Sequence, residues 1–255
     1  MLRRLLDGWL DLEPVPGASV GFMVVDNDPA GSARPIVEGH RLFQGGRLSF
    51  DVEPRRGIPF ARNRALDAAE SRNTHAVAFM DDDEWPEAHW LRSLWQVLEE
   101  TGVDAVAGQV AVAYPPGAPA WVHELPRVPL LNGRAPGDTS IKNCSTNNVL
   151  ISKSIFVERG LRFDERFGLS GGSDTEFFVR SRTEGARFAL APDALVHEEV
   201  PLARLHWRWR LGRIISRSNA QVRIRIKHGG YWRSFALYLP RGVWLVLAAI
   251  VTLPG

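Results

Sequence analysis

Apolar residues at Leu2, Leu5, Leu6, Trp9 and Leu10 recur at the spacing of one helix face, so the chain opens on an amphipathic helix. Val20–Val25 and Leu48–Val52 read as strands. Gly57-Ile58-Pro59 introduces a helix to about Ala69, with Pro59 suited to the first turn. The short apolar run Ala76–Met80 reads as a buried strand. Pro86 starts a helix with Leu91, Leu94, Trp95 and Leu98 on one face and Gly102 as its stop. Asp104–Ala113 and Asn147–Ser152 read as strands, and Asp174–Glu184 as a helix. Arg187–Leu190 and Ala194–His197 read as two short strands. Tyr114–Thr139, rich in Pro and Gly, and Leu161–Ser173 read as loops. This alternation predicts an α/β sheet with long insertions near one edge.

The chain ends differently. Pro201–Lys227 is a basic helical stretch bearing Trp207 and Trp209, and Tyr231–Leu253 is mostly apolar. Its uncharged part, Gly242–Leu253, is shorter than the roughly 20 residues that span a bilayer. An interfacial or re-entrant segment is expected instead. Two regions follow: a sheet domain over 1–200 and an extension over 201–255.

Charge sharpens that division. The net charge is only +2, but ten of the 31 Lys and Arg follow Glu199, and no acid does. The first 199 residues carry 21 bases against 29 acids. A basic, Trp-bearing tail suits an anionic membrane surface, with Trp207, Trp209, Trp232 and Trp244 in the interfacial zone. The acidic preceding region and apolar terminus argue against nucleic acid as the partner. Cys144 is the single cysteine, so no internal disulfide forms, which fits a reducing compartment.

The strongest chemical signal is Asp81-Asp82-Asp83-Glu84, directly after the apolar run Ala76–Met80. Acids at the carboxyl end of a strand lie where open α/β sheets bind ligands. Such crowding costs about 1 kcal/mol per pair at ~4 Å in water, and more when desolvated. A hard divalent cation relieves it. The residues alone leave two readings: a metal-holding turn, or a solvated turn that starts a helix. A second acidic strand end is Asp26-Asn27-Asp28-Pro29.

Four segments together resemble a family-2 glycosyltransferase of the GT-A fold, closest to bacterial enzymes of exopolysaccharide and cell-envelope glycan assembly. They are Val24–Asn27, Gly57–Asn63, Phe79–Glu84 and Gly168–Phe178. The resemblance covers about Met1 to Lys227 and implies a Rossmann-like mixed sheet flanked by helices. It implies a metal-dependent inverting transfer of a sugar from a UDP- or GDP-linked donor to a glycan or lipid-linked hydroxyl. The expected location is the cytoplasmic face of the membrane.

The resemblance also assigns roles. Asp26 would contact the base, and Asp81 the nucleoside. Asp82, Arg62 and Asn63 would lie on the donor side. Asp83 would hold Mg²⁺ or Mn²⁺, completed by His197, and Asp174 would be the catalytic base. Asn147, Asn148, Glu176, Trp209 and Arg213 would lie on the acceptor side, with Trp207 and Arg210 near a lipid-linked diphosphate. The residues by themselves leave alternatives open. Asp174 could cap a helix, His197 could pair with a neighbouring acid, Arg62 could be a solvated helix arginine, and the Trp/Arg set could form an ordinary amphipathic face.

Two departures stand out. The family carries an acid where Ser173 stands. It also opens with a strand in the middle of the sheet, whereas Met1 begins at the helix that follows. Omitting a central strand would expose backbone donors and acceptors and open the core. A sheet lacking its first strand, and a coding region extending upstream of Met1, are therefore expected. A non-catalytic nucleotide-sugar-binding or partner protein is the alternative.

Overall fold

The computed structural model describes residues 1–119, 122, 134–168 and 171–229. The expectations for Leu169, Ser170 and Tyr231–Leu253, with Trp232 and Trp244, lie outside the described residues, as do those for the side chains of Trp207 and Arg210.

The strands are β1 (Phe22–Asp26), β2 (Leu48–Val52), β3 (Ala76–Met80), β4 (Glu84–Pro86), β5 (Ala105–Ala113), β6 (Asn148–Ser152) and β7 (Phe188–Glu199). The helices are α1 (Leu2–Leu10), α2 (Arg34–Glu38), α3 (Arg41–Gln44), α4 (Ile58–Ser71), α5 (Trp90–Thr101), α6 (Ser173–Thr183) and α7 (Trp207–Gly229). Among the described residues the strands form two sheets: a parallel pair β1-β2, and a mixed five-stranded sheet in the order β3-β6-β5-β7-β4. β1 thus closes one sheet and β3 closes the other.

The five-stranded sheet is covered on both faces. On one, Leu66 of α4 and Phe177 and Phe178 of α6 pack on Ala105, Val149, Ile151 and Phe188. On the other, Trp90, Leu94, Val97 and Leu98 of α5 pack on Val106, Leu150, Ala189 and Val196. Neighbours in sequence such as Leu150 and Ile151 belong to opposite faces, as the two-residue strand period requires. Both are therefore apolar, and their strands read as continuous hydrophobic runs. A third cluster packs Leu6 of α1 on Phe22, Val37, Leu42 and Leu48.

Two expected short strands are one. Ala107 of β5 faces Leu190 of β7, but Gln109 faces Leu195, so Ala191–Ala194 bulge out while the strand continues. Pro192 suits such a bulge, where its missing N–H breaks no ladder. Asn148 stitches the irregularity. Its Nδ2 donates to the carbonyls of Gln109 (2.7 Å) and Ala194 (2.8 Å), and its Oδ1 accepts from Trp90 Nε1 at 2.8 Å. Gly108 is required there, because a Cβ would lie 2.4 Å from the Ala194 oxygen and from Asn148 Nδ2.

Helix α5 starts at Trp90 rather than Pro86, because Glu84–Pro86 first pairs antiparallel with Val196–Glu198 of β7. That short strand holds the acidic turn beside the sheet. Gly102, in the left-handed region at φ 58°, ends α5 as expected. Helix α7 follows a 3₁₀ turn, Leu202–Leu205, and packs Ala220 and Ile224 toward the start of α6.

Candidate active site

Two turns and one helix start meet around Arg62. This side chain emerges from α4, whose first turn is set by Gly57 and Pro59. Gly57 adopts φ 138°, and a Cβ there would sit 3.0 Å from the backbone of Gly168. Asn27 braces the same corner: its Nδ2 donates to the Glu53 and Arg55 carbonyls at 2.9 and 2.7 Å, and its Oδ1 accepts from Gly57 N at 2.7 Å. Asp26 closes its own turn, Oδ1 accepting from Asp28 N at 2.9 Å and Oδ2 from Ala33 N at 2.8 Å.

Arg62 lies 3.6 Å from Asp81 and donates to Ser173 Oγ at 3.4 Å. Burial pulls its guanidinium below the ordinary value, and the charges of Asp81 and Asp174 oppose that shift. One cation therefore faces both the acidic turn after β3 and the start of α6. Asp81 is itself raised by burial, against Arg62, with Asp83, Asp82 and Asp174 adding repulsion.

The remaining acids divide by partner. Asp83 accepts from Arg204 Nη1 at 3.0 Å, and Asp82 is exposed. Glu84 is buried, and burial with the nearby Asp81 charge pushes its carboxyl up to about 9. Its carboxyl accepts from Asn147 Nδ2 at 3.0 Å and from Asp81 N at 3.3 Å. Glu198, opposite Glu84 across the strand pair, is raised by burial and then by Asp83.

Asp174 is the second residue of α6, not its cap. The capping position is Gly172, in the left-handed region, with no side-chain cap bond. Asp174 Oδ2 accepts from Ser145 Oγ at 3.2 Å and Oδ1 from Thr175 N at 2.7 Å. As an acid in a helix's first turn it also meets the positive end of the dipole.

Several expected contacts are used elsewhere. The Asn63 amide is buried and bridges the Phe163 backbone, donating to its oxygen at 2.9 Å and accepting from its nitrogen at 2.7 Å. Asn148 is consumed by the β5–β7 bulge. Glu176 is 0% exposed, pairs with Arg180 of its own helix at 3.2 Å and anchors α7 through Lys227 and His228 (3.2 Å), so it cannot touch an acceptor. His197 pairs with Glu87 at 2.5 Å and stacks on Trp85. Trp209 lies 6.0 Å from Arg204 and 5.5 Å from Arg213. Cys144 is buried, which pushes its thiol up and leaves it inert.

Sequence reading gives no role to Arg204, Glu198, Asn27 or the buried Glu84. Glu84 carried a signal as the fourth acid of the run, and Asn27 as part of the acidic strand end Asp26–Pro29. Arg204 reaches the turn through folding of the tail, which no local pattern reveals.

Among the described residues no three of His, Cys, Asp and Glu are grouped to hold a metal ion. The site's chemistry still fits a hard cation. Its donors are oxygens, and the mutual repulsion of Asp81, Asp82 and Asp83 is only partly relieved by Arg62 and Arg204.

This arrangement on a mixed sheet defines an α/β protein of the GT-A type, and the chain belongs to glycosyltransferase family 2. The family model "Glycosyl transferase family 2" matches residues 1–160. The succinoglycan biosynthesis protein ExoM of Rhizobium meliloti (strain 1021) is 36% identical over 192 residues, 75% of this chain. This chain spans 60% of ExoM. Staphylococcus aureus TarS 1-349 is similar in fold, with a TM-score of 0.58 and 20% identity over 78% of this chain and 56% of that one. TarS 1-349 is also solved in complex with UDP-GlcNAc. GalNAc-T7, solved with UDP, GalNAc and Mn²⁺, matches at a TM-score of 0.56 and 13% identity, over 78% of this chain and 41% of that one.

Proposed function

We propose that the protein is a metal-dependent, inverting glycosyltransferase that moves a sugar from a UDP- or GDP-linked donor to the hydroxyl of a glycan or lipid-linked acceptor. The observation that carries this reading is Arg62, shared electrostatically between Asp81 and Asp174. It sets a candidate base and a candidate diphosphate-side turn around one cation.

In this reading Asp174 accepts the proton of the acceptor hydroxyl as that oxygen bonds to the anomeric carbon. The bond from that carbon to the diphosphate oxygen breaks with its electron pair, and the sugar inverts. The proton passes from Asp174 to solvent. Such a base contributes about 10²–10⁴-fold. Arg62 offers a planar fork of donors to the departing oxyanion. Asp26 and Asp82 serve the donor side, and Asn147 and Arg213 line the acceptor approach. Asp81 would contact the nucleoside, and Asp83, with His197 as the further candidate, would hold Mg²⁺ or Mn²⁺, which would supply Lewis-acid stabilisation of diphosphate charge.

Residues 1–200 act as the transferase domain and 201–255 as a membrane-associating extension at the cytoplasmic face. The bases after Glu199 support this, and the name of ExoM suggests exopolysaccharide assembly as the setting. No helix among the described residues is long and apolar enough to cross a membrane. A thermal-shift screen of UDP- and GDP-sugars with and without Mn²⁺, followed by nucleoside diphosphate release, tests the proposal. Stabilisation with turnover is expected; stabilisation without turnover favours a non-catalytic binder, and no stabilisation removes the donor assignment.

A further inference from the structure

Helix α7 has two unlike sides. Successive residues of an α-helix advance by about 100°. Ala220 and Ile224 lie on the side turned to the body, where both are buried and a Cβ on Gly172 would come within 2.7 Å of Ala220. Lys227 and His228 secure that side to Glu176. The other side carries Ile214, Ile215, Val222 and Ile226, within an arc of roughly 120°. These are 60%, 53%, 36% and 36% exposed. A helix on a globular body ordinarily turns its apolar stripe inward. Here the bulkier stripe faces away.

Scattered exposed apolar residues need no explanation, but four on one helix face form a patch. Their surroundings select the occupant. No acid follows Glu199, and α7 carries Arg208, Arg210, Arg213, Arg217, Arg223, Arg225 and Lys227. A second copy of this face would bring two acid-free basic helices together, which like charge opposes. Nucleic acid would engage the bases through phosphate and leave the isoleucines in water. A bilayer with anionic headgroups satisfies both features: isoleucines enter the acyl boundary while arginines reach the headgroups.

The geometry points to the Ile214-Ile215-Val222-Ile226 face of α7 as the surface that docks on an anionic phospholipid bilayer. This deepens the membrane part of the proposed function and needs none of the transfer chemistry. Because the opposite side of α7 rests on Gly172, two residues before Asp174, docking sets the candidate active site beside the membrane surface.

The test is co-sedimentation of the full chain with vesicles of phosphatidylcholine alone or mixed with phosphatidylglycerol, at low salt. Wild type is compared with Ile214→Glu/Ile215→Glu. Both positions are more than half exposed, so the double variant keeps its melting temperature. Wild type binding only the anionic vesicles, with at least a tenfold weaker double variant, is the expected result. If wild type binds and the variant binds equally, this face is not the docking surface, although the membrane reading stands. If wild type ignores anionic vesicles, the membrane reading fails too. A clear drop in the variant's melting temperature, or a change in its oligomeric state, overturns the proposal by showing the face covered by protein.

Discussion

Arg204 Nη1 donates to Asp83 Oδ2 at 3.0 Å, joining the turn after the tail's first residues to the acidic turn after β3. The metal-holding candidate thus carries its own counter-ion. A divalent cation at Asp83 must compete with that guanidinium. Removing it with Arg204→Met should strengthen Mn²⁺ binding to the donor-free protein. The pair is partly exposed, 40% and 17% at the two side chains. The gain is therefore limited to about 0.2–1 kcal/mol, roughly up to fivefold. Asp83→Asn should abolish binding. Isothermal titration with Mn²⁺ measures both, and unchanged affinity in Asp83→Asn would remove the metal assignment.

Asp164 ties the loop before α6 to the end of α7. Arg166, opposed by burial and aided by Lys227, holds its carboxyl well below the ordinary 3.8. A depressed folded-state value contributes stability above the unfolded value and loses it as pH falls through the folded one. Asp164→Asn should therefore lower stability at neutral pH by about 1.5–3 kcal/mol, the range for hydrogen bonds to charged groups. The difference from wild type should shrink as pH falls below 3.8. Thermal melts at several pH values check this; a gap that persists in acid would contradict it.

Gly171 and Gly172 both adopt positive φ, 72° and 86°. A Cβ on Gly171 meets nothing within 4 Å, whereas one on Gly172 meets Ala220 at 2.7 Å. Ala at either position costs about 1–2 kcal/mol of backbone strain. Gly172→Ala should cost a further ~1–3 kcal/mol from overpacking and loosen α7. Comparing the two melting temperatures isolates the helix contact, and equal losses would mean that α7 does not press on this turn.

Much of the fold was legible because its strands and helices carry strong local patterns. Leu48–Val52 and Ala76–Met80 were read to the residue, and Ala105–Ala113 and Asn148–Ser152 to within one residue. The continuity of β7 was hidden because a bulge through Pro192 resembles a break between two strands. The edge strand Glu84–Pro86 was hidden because its partner is distant in sequence. The site shows the same limit. The acidic turn and Asp174 stood out locally, but Asn63, Asn148 and Glu176 spend their polar groups on Phe163, the β-bulge and α7. Sequence alone does not distinguish an amide or carboxylate facing a ligand from one satisfied in the interior.

Release of nucleoside diphosphate from a nucleotide sugar that stabilises the protein, compared between wild type and Asp174→Asn, tests the central claim. The acceptor proton needs Asp174, whereas donor binding does not. The variant should retain the donor-induced melting shift and lose at least ~10² in turnover. Near-normal turnover in Asp174→Asn, or no stabilising nucleotide sugar at all, would contradict the account.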